Sequence, residues 1–319
     1  MAKGLGMLFV QMGHTYFPQM IIQWIYSFHM PLFFILSGMT FSVKEYKTKT
    51  YIVKKVKSLL LPYYFFAIIN YFLAFVLDKI THTATTDVFS YFKPYFIPYR
   101  ERPMWFLMAL FISEIVFFII QKYCIKGEER RQKWLFAILF FFSSIWYLFD
   151  IVLPFYLDIM PAILLFLQIG FMGKETEHKK HIYAFVAIVG NILCAILNYK
   201  AAGSRVEMVV NEYGIFVIFV VGAVLGVYAV IHICKILEGT KWSKIISYIG
   251  KNSIVFYGFH ISINGYVDRI LSRVVPYYRY NQVMDILCGV LLLIFTFSIL
   301  SVMAKLYNCT LKKWINKYI

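Results

Sequence analysis

The sequence predicts an all-α, polytopic membrane protein of about ten transmembrane helices with both termini in the cytoplasm, and three observations predict it. The first is composition: of 319 residues 61% are hydrophobic, 20% aromatic and only 15% charged, far from the usual make-up of soluble domains. The second is a series of charge-poor windows of the length that crosses a hydrocarbon core, for which about 20 mostly apolar residues suffice. The third is the uneven placement of Lys and Arg between those windows.

The windows run over residues 4–20, 25–43, 58–77, 104–121, 134–149, 153–173, 182–199, 212–234, 245–267 and 284–304. Residues 4–43 hold no Asp, Glu, Lys or Arg; that is too long for one crossing, and Pro18 supplies a break between two. The fifth window is short, and Pro154 and Pro161 flank its junction with the sixth, so nine spans is the competing count. With both ends inside, the inner loops and the tail hold 21 Lys and Arg and the outer loops nine. That bias is the positive-inside pattern. It accounts for most of the formal net charge of +16 without a nucleic-acid partner, which would call for a folded basic face with stacking aromatics in water.

No polar linker, low-complexity tract or internal repeat divides the chain, so residues 1–319 read as a single integral membrane domain. The five cysteines form no CxxC pair and suggest neither a disulfide framework nor a zinc site. No cleavable leader is evident, because the first apolar segment runs straight into a second. The outer loop 78–103 mixes Pro94, Pro98 and Pro103 with Tyr91, Phe92, Tyr95, Phe96 and Tyr99. It reads as an interfacial lid or as a plain interfacial connector.

Ionisable side chains inside lipid cost roughly 2.5 to 3.5 kcal/mol on insertion scales and mark candidate sites. Here they are His14, His29, Glu114, Asp158, Lys251 and His260. Lys3 and His14 are eleven steps apart; at about 100° per step this is within ~20° of whole turns, so the two share a helix face about 16 Å apart. Taken alone, His14 also reads as a helix-end histidine with its hydrogen bonds satisfied. Lys54 and Lys57 are three apart on one face and suit a phosphate as point charges, although positive-inside signalling also explains lysines there. Trp105 precedes Glu114 by nine residues, about two and a half turns, so the two need not share a site. Trp105 fits an aromatic belt. Glu114 fits either a group that orients a histidine or binds a hydroxyl, or a buried protonated carboxyl. Ser253 and His260 are seven apart and share a face, and the GKNS start there also reads as a helix cap. The chain holds no P-loop, dinucleotide fingerprint or GxSxG elbow.

Taken in order, KGLGMLFVQMGHT, FHMPLFFILSGMTF, KKVKSLLLP, MWFLMALFISE and GKNSIVFYGFH resemble the acyltransferase type 3 family of integral membrane proteins, and within it the branch related to fucose 4-O-acetylase. The resemblance implies ten core helices in a cell membrane, that of a bacterium. It implies transfer of an acyl group, usually acetyl from acetyl-CoA and with no metal, to a hydroxyl of a surface or lipid-linked carbohydrate. The family's basic residue, ten residues and histidine match Lys3 and His14, with His14 as the catalytic base or as an acyl carrier. Its basic-x-x-basic motif matches Lys54 and Lys57, where lysine keeps the charge and loses bidentate geometry. His29 falls on FHMPLFF, with Pro31 suited to a first helical turn. The expected site therefore counts Glu114 with His14 and His29 as catalytic, Lys3 with Lys54 and Lys57 on the donor, and Trp105, Asp158, Ser253 and His260 on the acceptor. Family members often carry a short stretch with an Asp ahead of the basic position, whereas this chain begins two residues before Lys3; a truncated or misassigned start is the expectation. The competing reading is a polysaccharide or small-molecule exporter in which the same polar groups line a path and no bond is made. Matched broken helices in two halves, which would favour transport, are not visible in the sequence. The acceptor and the oligomeric state stay open at this level.

Overall fold

A computed structural model describes residues 1–43, 47–81, 87–96, 98, 104–175, 181–275 and 281–310. Of the basic residues weighed above, Lys44, Arg100, Arg102, Lys179, Lys180, Arg279, Lys312, Lys313 and Lys317 lie outside the described residues, as do Tyr99 and Pro103. Fourteen α-helices follow in chain order among the described residues. They are α1 (Ala2–Gly13), α2 (Gln19–Tyr26), α3 (His29–Met39), α4 (Thr48–Lys55), α5 (Leu61–Thr81), α6 (Val88–Phe96) and α7 (Trp105–Ile119). Then come α8 (Glu129–Trp146), α9 (Met160–Met172), α10 (His181–Ala202), α11 (Phe216–Ile236), α12 (Lys241–Lys251), α13 (Ser253–Val274) and α14 (Gln282–Cys309). An isolated bridge between Glu207 and Glu212 is the extended pairing seen among them.

Eight stretches of these helices are long and apolar enough to cross a membrane, and they correspond to all but the first and ninth of the sequence windows. The fifth and sixth windows form separate helices, α8 and α9, with short 3₁₀ turns between them. In the first window α1 has 12 residues, about 18 Å of helix, and Pro18 caps the following α2. The ninth window breaks at Asn252, which ends α12 and caps α13. Helix α13 has 22 residues, but Asn264, Asp268, Arg269 and Arg273 dilute its apolar content. The first exception is short, and the second is broken at Asn252 and carries those polar side chains, only Asn264 of them buried.

Small residues let the central helices close up. A Cβ on Gly38 of α3 would run into the Leu167 carbonyl of α9, and one on Gly170 of α9 into the Ile35 carbonyl of α3. The α3–α9 crossing is therefore backbone against backbone, the contact that small residues permit within membranes. Gly4 of α1 meets the Ile246 carbonyl of α12 in the same way. Around this centre α13 pairs with α14, α10 with α11, and α1 lies against α3, α12 and α13. Helices α8 and α10 form the periphery: their Phe141, Phe142, Phe185, Val186 and Leu193 are exposed, as lipid-facing side chains should be.

In the described part of the loop 78–103, α6 packs Tyr91 and Phe92 on Tyr71 of α5, with ring centroids 5.0 Å apart in both pairs. Its start is capped by Asp87, whose carboxylate accepts the Ser90 N–H at 2.8 Å. That bond holds the Asp87 carboxyl below the usual carboxylate range.

Candidate active site

Two helices carry the site because each presents one stripe of side chains to the same interior space. On α1 the stripe is Lys3, Met7, Val10 and then His14 just past the helix end, at steps of four, three and four. On α13 it is Ser253, Tyr257 and His260. A cavity of ≈ 200 Å³ is lined by Val10, His14, Tyr26, His29, Met30, Trp105, Glu207, Met208, Tyr257 and His260. A second, of ≈ 260 Å³, is lined by Lys3, Met7, Met30, Ser37, Lys55, Ser58, Glu114, Ser253, Ile254 and Tyr257, among others. Met30 and Tyr257 belong to both walls. The two spaces thus lie on either side of one methionine and one tyrosine. A groove of ≈ 540 Å³, lined by Lys54, Lys57, Ser58, Lys251, Asn252, Ile254, Tyr307 and Asn308, shares Ser58 and Ile254 with the second cavity.

His14 falls at the end of α1, where the residue is accessible, and it lines the first cavity. Its carbonyl accepts the Asn264 side-chain N–H at 2.7 Å. The His260 ring stands 5.2 Å from the His14 ring, centroid to centroid. His29 is buried; its Nδ1 lies 2.9 Å from the Ile25 carbonyl, and its ring packs 4.8 Å from that of Tyr26. Tyr26 in turn lies under the Arg205 guanidinium at 4.3 Å, and Arg205 pairs with Glu207 at 2.7 Å. The α10–α11 connection thereby roofs the His14 cavity, with Glu207 in its wall.

Glu114 lies apart from His14. It is buried in the second cavity, ion-paired to Lys55 and accepting a hydrogen bond from the Ser37 hydroxyl. Of the residues singled out in the sequence, His14, His29, Trp105 and His260 come together around one cavity. Lys3, Glu114 and Ser253 share the next, and Lys54 and Lys57 the groove beyond it. Asp158 lines none of the three; it is buried, and its carbonyl accepts the Trp146 indole N–H at 2.9 Å. Lys55, Tyr257, Asn264 and Glu207 were not singled out. The spacing of Asn264 four residues after His260 was a usable signal. Lys55 had none, because its neighbours Lys54 and Lys57 share a face that it does not.

The family model of an acyltransferase domain matches residues 1–304. The chain belongs to the acyltransferase type 3 family. No curated protein matches the chain, and no solved structure does. A membrane acyltransferase needs a donor and an acceptor site that meet at the reacting bond, and the paired cavities are the place in this acyltransferase to look for them.

Proposed function

We propose that this acyltransferase moves an acyl group, acetyl in the simplest case, from acyl-CoA to a hydroxyl of a cell-surface or lipid-linked carbohydrate, with His14 as general base. The observation that carries the reading is the shared wall, at Met30 and Tyr257, of a histidine-lined cavity and a lysine-lined one. Lysines suit the phosphates of coenzyme A as point charges. Lys54, Lys57 and Lys251 ring the groove, and Lys3 and Lys55 flank the space beyond it, a path along which a thioester arm approaches the junction. On the other side, Trp105 and Tyr26 offer aromatic faces and Glu207 a carboxylate, the kinds of group that hold a polyhydroxylated ring.

At the junction the acceptor O–H gives its proton to His14 as its oxygen attacks the thioester carbon. The C–S bond then breaks, and the proton passes to the leaving thiolate. Proton transfer by a positioned imidazole is typically worth 10²- to 10⁴-fold. The test is purified protein given labelled acetyl-CoA with methyl glycosides of neutral hexoses and deoxyhexoses. Label on a glycoside or as free acetate is expected from the native protein and not from His14→Ala. Uptake of a glycoside without any loss of thioester would overturn the reading in favour of transport.

A further inference from the structure

Helix α13 grips the end of α1 at two levels. Asn264 donates from its side-chain nitrogen to the His14 carbonyl at 2.7 Å, and its Oδ1 accepts from the Gln11 side chain at 2.7 Å. This fixes the backbone from which the His14 ring projects. One turn earlier on α13, the His260 ring faces the His14 ring at 5.2 Å, a spacing that fits one N–H···N bond between ring edges once His14 turns about its side-chain torsions.

The tautomer of His260 follows from its other contact. Its Nδ1 is 2.6 Å from the Tyr257 carbonyl oxygen; a carbonyl only accepts, so Nδ1 carries the proton and the neutral ring has its lone pair on Nε2. His260 is 1% exposed. Among the described residues its Nε2 has no hydrogen-bond partner, and a buried acceptor without a donor is costly. An adjacent group able to donate is the His14 imidazole, which lines the same cavity with its ring 5.2 Å away.

We propose that His260 is the positioning residue of the site: its Nε2 accepts an N–H from His14 and directs the remaining His14 lone pair at the acceptor hydroxyl. The inference rests on His14 being the base. During transfer the acceptor proton moves to the free His14 nitrogen, the acceptor oxygen bonds the thioester carbon, the C–S bond breaks and the imidazolium returns a proton to the thiolate. His260 holds its bond to His14 throughout. With the Tyr257 carbonyl behind it, that bond stabilises the positive ring, as a buried acceptor does for the histidine of a catalytic triad.

The experiment uses the full chain in lipid vesicles, labelled acetyl-CoA and the neutral glycosides above, comparing native protein, His14→Ala, His260→Ala and His260→Gln. His260→Ala is expected to lower kcat on the order of 10²-fold with KM for acetyl-CoA unchanged. Millimolar imidazole should restore part of that loss. In His260→Gln the amide oxygen accepts in place of Nε2, and activity should stay within about tenfold of native. A side chain that only packs would show neither rescue. Native kcat in His260→Ala, or a loss that neither imidazole nor glutamine relieves, overturns the proposal while leaving His14 as base. Native activity in His14→Ala overturns the parent reading instead.

Discussion

Two polar clusters sit inside this apolar bundle and are built in opposite ways. Between the end of α7, α8 and α9, Gln121, Gln132 and Gln168 are all buried and saturate one another. Gln121 donates to Gln168 at 2.8 Å, Gln132 to Gln121 at 2.7 Å, and Gln168 to Gln132 at 2.7 Å. None of the three lines the cavities described above. At the junction of α1 and α13, the rings of His14 and His260 lie 5.2 Å apart beside a cavity, with an acceptor nitrogen left over. The glutamines are closed on themselves and hold three helices together. The histidines leave an acceptor nitrogen unmet beside a cavity. In a bilayer, where every unmet polar group is expensive, that contrast is the reason to test the histidines for chemistry and the glutamines for structure.

The comparison can be broken or sharpened by substitution. The largest expected effect is His14→Ala: transfer of label from acetyl-CoA falls by 10²-fold or more, with an unchanged thermal unfolding profile. A folded, active variant would erase the distinction between the clusters. Next is Glu114→Ala, which leaves Lys55 without its carboxylate. Breaking a buried pair costs about 3 to 5 kcal/mol, and with the Lys55 side chain 19% exposed the lower end of that range is expected in denaturation. Replacing both, Lys55→Met with Glu114→Leu, should recover most of the stability and raise KM for the donor.

Smaller still is Gln168→Leu, which leaves partners on Gln121 and Gln132 unmet at about 1 to 3 kcal/mol while kcat and KM stay native. A change in kcat there would show that the closed cluster also serves the reaction. The smallest is Lys54→Ala. It removes one exposed charge from the groove, so donor KM should rise a few-fold, about 1 kcal/mol, and the change should shrink as salt is added.

The residues that the sequence grouped by helical spacing were grouped correctly wherever the helix was regular. Ser253 and His260 share a face along an unbroken α13, and Lys3 and His14 line neighbouring cavities from one side of α1. The spacing held for Lys54 and Lys57 as well: both line one groove while Lys55, off that face, goes to Glu114, although a π-helical stretch, Val56–Leu60, overlaps the end of this run. Spacing along one helix is silent about a partner on another. Nothing in MWFLMALFISE says that Glu114 meets a lysine rather than a histidine, or that Asp158 lies away from the cavities.

The sequence by itself determined the solvent in which the chain folds, its helical make-up, the family it belongs to and the face that each regular helix turns inward, because hydropathy, length and period are local properties of the chain. Tertiary structure alone decided which inward faces meet: that α13 places His260 opposite His14, that Glu114 is paired with Lys55, and that Met30 and Tyr257 are shared by the walls of two cavities. Those pairings depend on where glycine lets two backbones touch and on where a helix breaks or widens, and such distances between remote segments are set by packing of the whole bundle.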